Sequence, residues 1–248
     1  MDITKGGVAF FDSGIGGLTV LAECKKQLPN QTFYYFGDNL RAPYGNLPHT
    51  LVQAYVHECF EEIAHLQPCA AVVACNTATA LCIESLRARY AFPVIGAEPA
   101  VLPAAKHGGK VFVLSTRATY ESERLKRLCD KASRLYPNTR LILHPCDGLA
   151  GAIERRIFSP SWDVAPFLPT GNPDGVVLGC THYIYLQKRI SDFYQAPTYD
   201  GNSGIAKNLA CILSKNLEKS SKNAGEVFFL GKAKWSNKYI YEQMFAYK

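Results

Sequence analysis

The chain has 248 residues, 48% of them apolar, which is enough for a substantial core in one large domain or two smaller ones and excludes a disordered chain. Its net charge of +6 comes with lysines gathered late (Lys207, Lys215, Lys219, Lys222, Lys232, Lys234, Lys238) and no arginine-rich block, so a solvated face is favoured over a nucleic-acid surface. The opening MDITKGGVAFFD lacks the charged start and long apolar stretch of a leader, and no run is long enough to span a bilayer; a cytoplasmic protein with no membrane partner is expected.

Short apolar runs alternate with longer stretches of helical period, the pattern of an α/β fold with mainly parallel strands. The predicted strands are Gly7–Phe11, Thr32–Phe36, Ala70–Ala74, Val94–Ala97, Lys110–Ser115, Thr139–His144, Gly175–Leu178 and Glu226–Leu230. Leu51, Tyr55, Cys59, Ile63 and Leu66 mark a helix between the second and third strands, and Leu125, Leu128, Ala132 and Leu135 mark another that begins near Thr119. Pro99 to Pro103 and the polar KHGGK after them read as a passage into a second α/β unit. The predicted organisation is therefore two similar Rossmann-like or flavodoxin-like domains, residues 1–97 with a returning 206–248 segment and residues 98–205, with the site in the cleft between them.

FFDSGIGGLTVL (Phe10–Leu21) is a strand, a glycine turn and a helix, an order that can cradle a phosphate. A dinucleotide fingerprint would need glycine or alanine where Thr19 stands, and no acidic ribose ligand follows. The turn is better read as presenting Asp12 and Ser13 at a strand end.

The nine cysteines are scattered, with no C-x-x-C pair to suggest zinc or a redox couple. Most should be small buried hydrophobes, so a chemical cysteine must be picked out by its neighbours. Two are: VVACNT (Val72–Thr77) and VLGCTH (Val177–His182) each carry an apolar strand, a small residue, a cysteine and hydrogen-bonding side chains at the start of a helix. Cys75 and Cys180 would both lie at carboxyl ends of strands, as would Asp12, Ser13, Asp38 and Thr116. Each helix start would favour a thiolate. Thiols facing one small molecule from opposite walls could take a proton from one face of a carbon and deliver one to the other, which inverts the centre.

DSGIGGLTVL (Asp12–Leu21), FGDNLRAPYGN (Phe36–Asn46), ACNTATA (Ala74–Ala80), GAEPA (Gly96–Ala100) and GCTHY (Gly179–Tyr183) together resemble the glutamate racemases, in the order those enzymes carry them. The resemblance implies a cofactor-independent amino-acid racemase that makes D-glutamate for peptidoglycan, with Cys75 and Cys180 as the two bases. It implies Asp12, His182 and Glu154 as assisting groups. It also implies Ser13, Asn76, Thr77, Thr119, Thr181, His182 and Asp12 as ligands of the substrate's α-groups, and Tyr44 and Gly45 as backbone donors to its side-chain carboxylate. Thr116 is a lesser candidate. The substrate is then the sole small-molecule partner, no cofactor or metal is implied, and a homodimer is the expected assembly.

Some segments depart from that pattern. Ile184 stands where the family commonly has proline, which should alter the turn after the second cysteine, and YDGNSGIA (Tyr199–Ala206) and the Ser159–Gly175 loop do not align. An aspartate racemase of the same superfamily, or a nucleotide-binding regulatory protein using the Gly14–Gly17 loop, are the competing readings.

Overall fold

The computed structural model describes residues 6–159, 162–215, 225–231 and 233–246. Lys219, Lys222 and Lys232 of the basic segment, and Pro160 and Ser161 of the unaligned loop, lie outside the described residues. Lys207, Lys215, Lys234 and Lys238 are exposed, as a solvated face requires.

Two parallel sheets organise the chain. The first has the order β4-β3-β1-β2-β9, from β1 (Val8–Asp12), β2 (Phe33–Gly37), β3 (Ala70–Val73), β4 (Val94–Gly96) and β9 (Val227–Leu230). The second has the order β6-β5-β7-β8, from β5 (Gly109–Ser115), β6 (Thr139–Pro145), β7 (Gly175–Leu178) and β8 (Thr198–Tyr199). Every residue of β1, β2 and β3 is buried, which is why these strands read as continuous apolar runs: helices cover both faces of a parallel sheet. The C-terminal segment returns to the first sheet, where Val227 to Leu230 pair in register with Phe33 to Phe36.

The helices of the first sheet are α1 (Gly17–Gln27), α2 (His49–His65) and α3 (Asn76–Arg89). Helix α4 (Val101–His107) leads to the second sheet, followed by α5 (Arg117–Glu121), α6 (Glu123–Leu135), α7 (Leu149–Arg156) and α8 (Gln187–Tyr194). Helix α9 (Asn202–Lys215) packs Ile205 and Leu209 into the same apolar cluster as Leu18 and Leu21 of α1, and α10 (Lys234–Ala246) closes the chain.

Four local expectations are corrected. The helix expected to begin near Thr119 is two helices, because the Ser122 side chain accepts from Leu125 N at 3.2 Å and starts α6 afresh. Leu135, expected on its core face, ends the helix and is 57% exposed. The buried stripe of α2 is Val52, Val56, Cys59, Phe60 and Ile63, so Leu51, Tyr55 and Leu66 flank it rather than form it. Strand β8 was not foreseen: two residues show no periodicity, and only pairing with Val176 and Val177 defines it.

Candidate active site

The carboxyl ends of the two sheets bring together side chains far apart in sequence. On the first wall, Asp12 is the last residue of β1, and Ala74 and Cys75 follow β3. Cys75 caps α3: its Sγ accepts from Ala78 N at 3.5 Å and lies 3.5 Å from Ser13 Oγ. On the second wall, Ser115 ends β5 and Cys180 follows β7. Cys180 Sγ lies 3.8 Å from His182 Nδ1, and His182 Nε2 lies 2.6 Å from Glu154 Oε1 of α7. Cys75 and Cys180 are both almost wholly buried.

The helix expected after Cys180 begins instead as a six-residue 3-10 helix, Thr181–Leu186, that runs into α8, and the Cys180 side chain makes no cap bond. In a 3-10 helix residues i and i+3 eclipse, so Tyr183 and Leu186 both face the core. The Tyr183 hydroxyl fixes the turn through Ser115 O (3.1 Å) and Cys146 O (3.3 Å). Cys180 therefore relies on His182 where Cys75 relies on a helix start.

The walls touch directly. Thr181 Oγ1 donates to Asp12 Oδ2 at 3.2 Å, and Ile15 N donates to Glu154 Oε1 at 2.9 Å. Thr77 Oγ1 lies 2.9 Å from Thr116 Oγ1 and 3.5 Å from Thr119 Oγ1, and Thr116 donates to Thr119 Oγ1 at 3.0 Å, so three hydroxyls from both walls form one cluster. Thr116, the lesser candidate, sits at its centre. The Tyr44–Gly45 segment packs on the Thr116 side chain. The Asn76 Oδ1 atom, at the start of α3, is buried without a hydrogen-bond partner among the described residues. A buried acceptor left unpaired is costly, and a ligand donor would relieve it.

The glycine loop is explained by this contact. None of Gly14, Gly16 and Gly17 has a positive φ, so left-handed backbone is not what selects glycine here. A Cβ on Gly16 would lie 2.3 Å from Thr181 Oγ1 and 2.7 Å from His182 Nδ1; one on Gly14 would lie 1.8 Å from Glu154 Oε1. The start of α1 is pressed against the second wall, which leaves no room for a nucleotide phosphate there.

Burial dominates the electrostatics. It pushes the Cys75 thiol up to about 12; the Asp12 charge adds to the rise, and the Ala78 N–H and Ser13 hydroxyl offset part of it. Cys75 is thus protonated at neutral pH. Burial also raises Asp12 from 3.8 to about 6, against the opposing pull of His182 and the Gly14 N–H, which donates to Oδ1 at 2.9 Å. Burial would lower His182, but its hydrogen bonds to Cys180 and Glu154 outweigh that and hold it well above the ordinary imidazole range. The remaining buried cysteines Cys24, Cys59, Cys82, Cys129 and Cys146 are all raised by desolvation, as inert core thiols should be.

The sequence reading missed two supports. The Tyr35 hydroxyl donates to Gly14 O at 2.6 Å and the Tyr185 hydroxyl to Ile15 O at 2.8 Å, so tyrosines from both walls hold the glycine loop. Asp38, singled out for its place at a strand end, accepts from Arg41 Nε at 2.6 Å and from the Tyr44 hydroxyl, bracing the turn that carries Tyr44 and Gly45. A tyrosine inside an apolar run gives no sign of where its hydroxyl will go.

The sequence profile of Asp/Glu/hydantoin racemases matches residues 19–209. Glutamate racemases of Clostridium perfringens and Clostridium botulinum are each 36% identical to the chain over 239 residues, covering 91% and 92% of it and 90% and 91% of themselves. A crystal structure of glutamate racemase RacE1 from Bacillus anthracis superposes with a TM-score of 0.78 at 29% identity, covering 98% of this chain and 95% of its own. The Escherichia coli glutamate racemase in complex with L-glutamate and the activator UDP-MurNAc-Ala also superposes at 0.78, with 27% identity over 92% of this chain and 90% of its own. With two α/β units, paired strand-end cysteines and these relatives, the chain belongs to the Asp/Glu/hydantoin racemase family.

Proposed function

We propose that the chain interconverts L-glutamate and D-glutamate by proton transfer between the α-carbon and two cysteines, supplying D-glutamate for peptidoglycan. The observation that carries this is the opposition of Cys75 and Cys180, each at a strand end of its own sheet and each with a polar group at its sulfur. One thiol acts as acid while the other acts as base, and their roles exchange with the enantiomer. Removing an α-proton from an amino acid is difficult unless the carbanion is stabilised. A buried ring of donors around the α-carboxylate supplies this stabilisation.

In this reading Thr77, Thr119, Thr181 and Ser13 hold the α-carboxylate, and the unpaired Asn76 Oδ1 accepts from the α-ammonium. Asp12, raised to about 6, is held in its charged form by that ammonium. The backbone of Tyr44 and Gly45 receives the side-chain carboxylate, and His182 with Glu154 manages the proton at Cys180. The cleft lies between two domains, residues 1–97 with 206–248 and residues 98–205. The working form is a cytoplasmic homodimer; among the described residues no helix is long and apolar enough to cross a membrane.

The test is racemisation of L-glutamate in D2O with no added cofactor. Deuterium should enter the α-carbon during turnover, and D-aspartate should turn over far more slowly than D-glutamate. Cys75→Ser and Cys180→Ser should each lower kcat by about 10² to 10⁴ with unchanged circular dichroism. Inversion without deuterium entry would rule out the two-base route.

A further inference from the structure

Ile15 belongs to the first wall, yet both of its peptide groups are gripped by side chains of the second. Its N–H donates to Glu154 Oε1 at 2.9 Å, and its carbonyl accepts from the Tyr185 hydroxyl at 2.8 Å. The same Glu154 oxygen lies 2.6 Å from His182 Nε2, and His182 Nδ1 lies 3.8 Å from Cys180 Sγ. One continuous set of contacts thus runs from Tyr185 through the two peptide groups of Ile15 and a carboxylate to the second thiol.

The spacing of the two gripping arms follows from the local backbone. His182 and Tyr185 are three residues apart in the 3-10 helix Thr181–Leu186, where such residues eclipse and project from the same side. His182 reaches Glu154 while Tyr185 reaches the carbonyl of Ile15, whose N–H Glu154 holds. The carboxylate is seated against Gly14, where even a Cβ would lie 1.8 Å from Oε1. Its position therefore depends on where the loop sits, and the loop sits where Tyr185 holds Ile15.

We propose that Tyr185 is a positioning residue for the proton transfer at Cys180. Its hydroxyl fixes the Ile15 peptide, the Ile15 N–H fixes Glu154, and Glu154 sets the His182 imidazole against Cys180. Among the described residues, the sulfur of Cys75 is supported differently, by Ser13 and the start of α3. Tyr185 therefore acts on one of the two half-reactions. The inference rests on the racemase reading above.

Tyr185→Phe removes the hydroxyl alone. The Ile15 carbonyl keeps its bond from Leu18 N at 3.1 Å, so the fold should survive. The first measurement needs no activity: amide exchange at Ile15 should quicken several-fold in the variant. The second uses α-deuterated L- and D-glutamate. The fall in kcat/KM should be about three- to tenfold, the worth of one neutral hydrogen bond, and equal for both enantiomers because the equilibrium is fixed. The isotope effects should separate: larger for the enantiomer whose α-proton Cys180 removes, smaller for the one that Cys180 reprotonates. A general loosening of the site would move both alike. Unchanged Ile15 exchange in folded Tyr185→Phe overturns the grip, and isotope effects that move together overturn its role at Cys180. If the unmutated chain does not turn over glutamate, the function and the half-reaction role both fall, while Ile15 exchange still decides whether the grip exists.

Discussion

The two walls of the cleft begin from nearly the same sequence, VVACNT and VLGCTH, and support their cysteines by different physics. At Cys75 the partners are neutral, a serine hydroxyl and a backbone N–H at the start of a 14-residue helix. At Cys180 they are ionisable, a histidine held by a glutamate, because the chain there turns into a 3-10 helix and offers no cap bond. A reversible racemase must move a proton on both faces, but its fixed equilibrium does not require the two faces to have mirror-image surroundings. The pairing also makes each wall vulnerable to a different kind of change.

Asp12 joins the walls and gives the largest expected effect. Its carboxyl titrates at about 6 in the folded chain against an ordinary 3.8, so folding favours the protonated form. Its contribution to stability is full below about 3.8 and is lost as pH rises through about 6. The loss is on the order of 3 kcal/mol, from about 1.4 kcal/mol per pKa unit. Asp12→Asn, which cannot ionise, should lack this loss, and urea unfolding of both proteins between about pH 4 and about pH 7 would measure it. An unchanged slope would mean that the carboxylate is better solvated than its burial indicates.

Glu154→Gln attacks the support of Cys180. Removing the anion should bring His182 down toward the ordinary imidazole range and cost about ten- to a hundredfold in kcat, the worth of a charge-assisted hydrogen bond. Titrating His182 by NMR beside the kinetics checks both parts; a His182 that still titrates high would shift the credit to Cys180. Gly16→Ala tests the contact between the walls. Its Cβ would meet Thr181 Oγ1 at 2.3 Å and the His182 backbone nitrogen at 2.9 Å, so the loop must retreat. We expect a destabilisation of about 1 to 3 kcal/mol with a fall in kcat. Gly204→Ala, whose Cβ meets nothing within 4 Å in α9, should instead be neutral or stabilising by up to about 1 kcal/mol. Thermal unfolding of the two variants makes the comparison.

The strands were legible because a parallel sheet buries both faces and writes itself as unbroken apolar runs such as VAFFD and FYYFG. The site was legible because cysteine, asparagine and threonine directly after such a run have few reasons to be there other than capping and ligand binding. What stayed hidden depended on distance or on a missing pattern. Strand β8 has two residues and no period of its own. Ser122 divides one apparent helix into two with a side-chain bond that the spacing of leucines does not register. The glycines of DSGIGG pointed to a phosphate turn, because the residues that exclude side chains there, Glu154, Thr181 and His182, lie more than a hundred positions away. Tyr35 and Tyr185 read as core aromatics, and only folding reveals which carbonyl each hydroxyl meets.

Ser13→Ala should have the smallest effect and sharpens the contrast most directly. Ser13 Oγ lies 3.5 Å from Cys75 Sγ and offsets part of the rise that burial imposes, which leaves the thiol at about 12. A neutral hydrogen bond is worth about 0.5 to 1.5 kcal/mol, so its removal should cost at most about tenfold in kcat. Because neither partner lost is ionised at neutral pH, the penalty should be the same across the range in which the Glu154→Gln penalty changes as His182 titrates. Measuring kcat for both variants from pH 6 to pH 9 (about one unit either side of the neutral range) separates them. A Ser13→Ala penalty that varies with pH as steeply as that of Glu154→Gln would mean that the Cys75 wall also works through charge, with Asp12 rather than the hydroxyl as the group that matters at its sulfur.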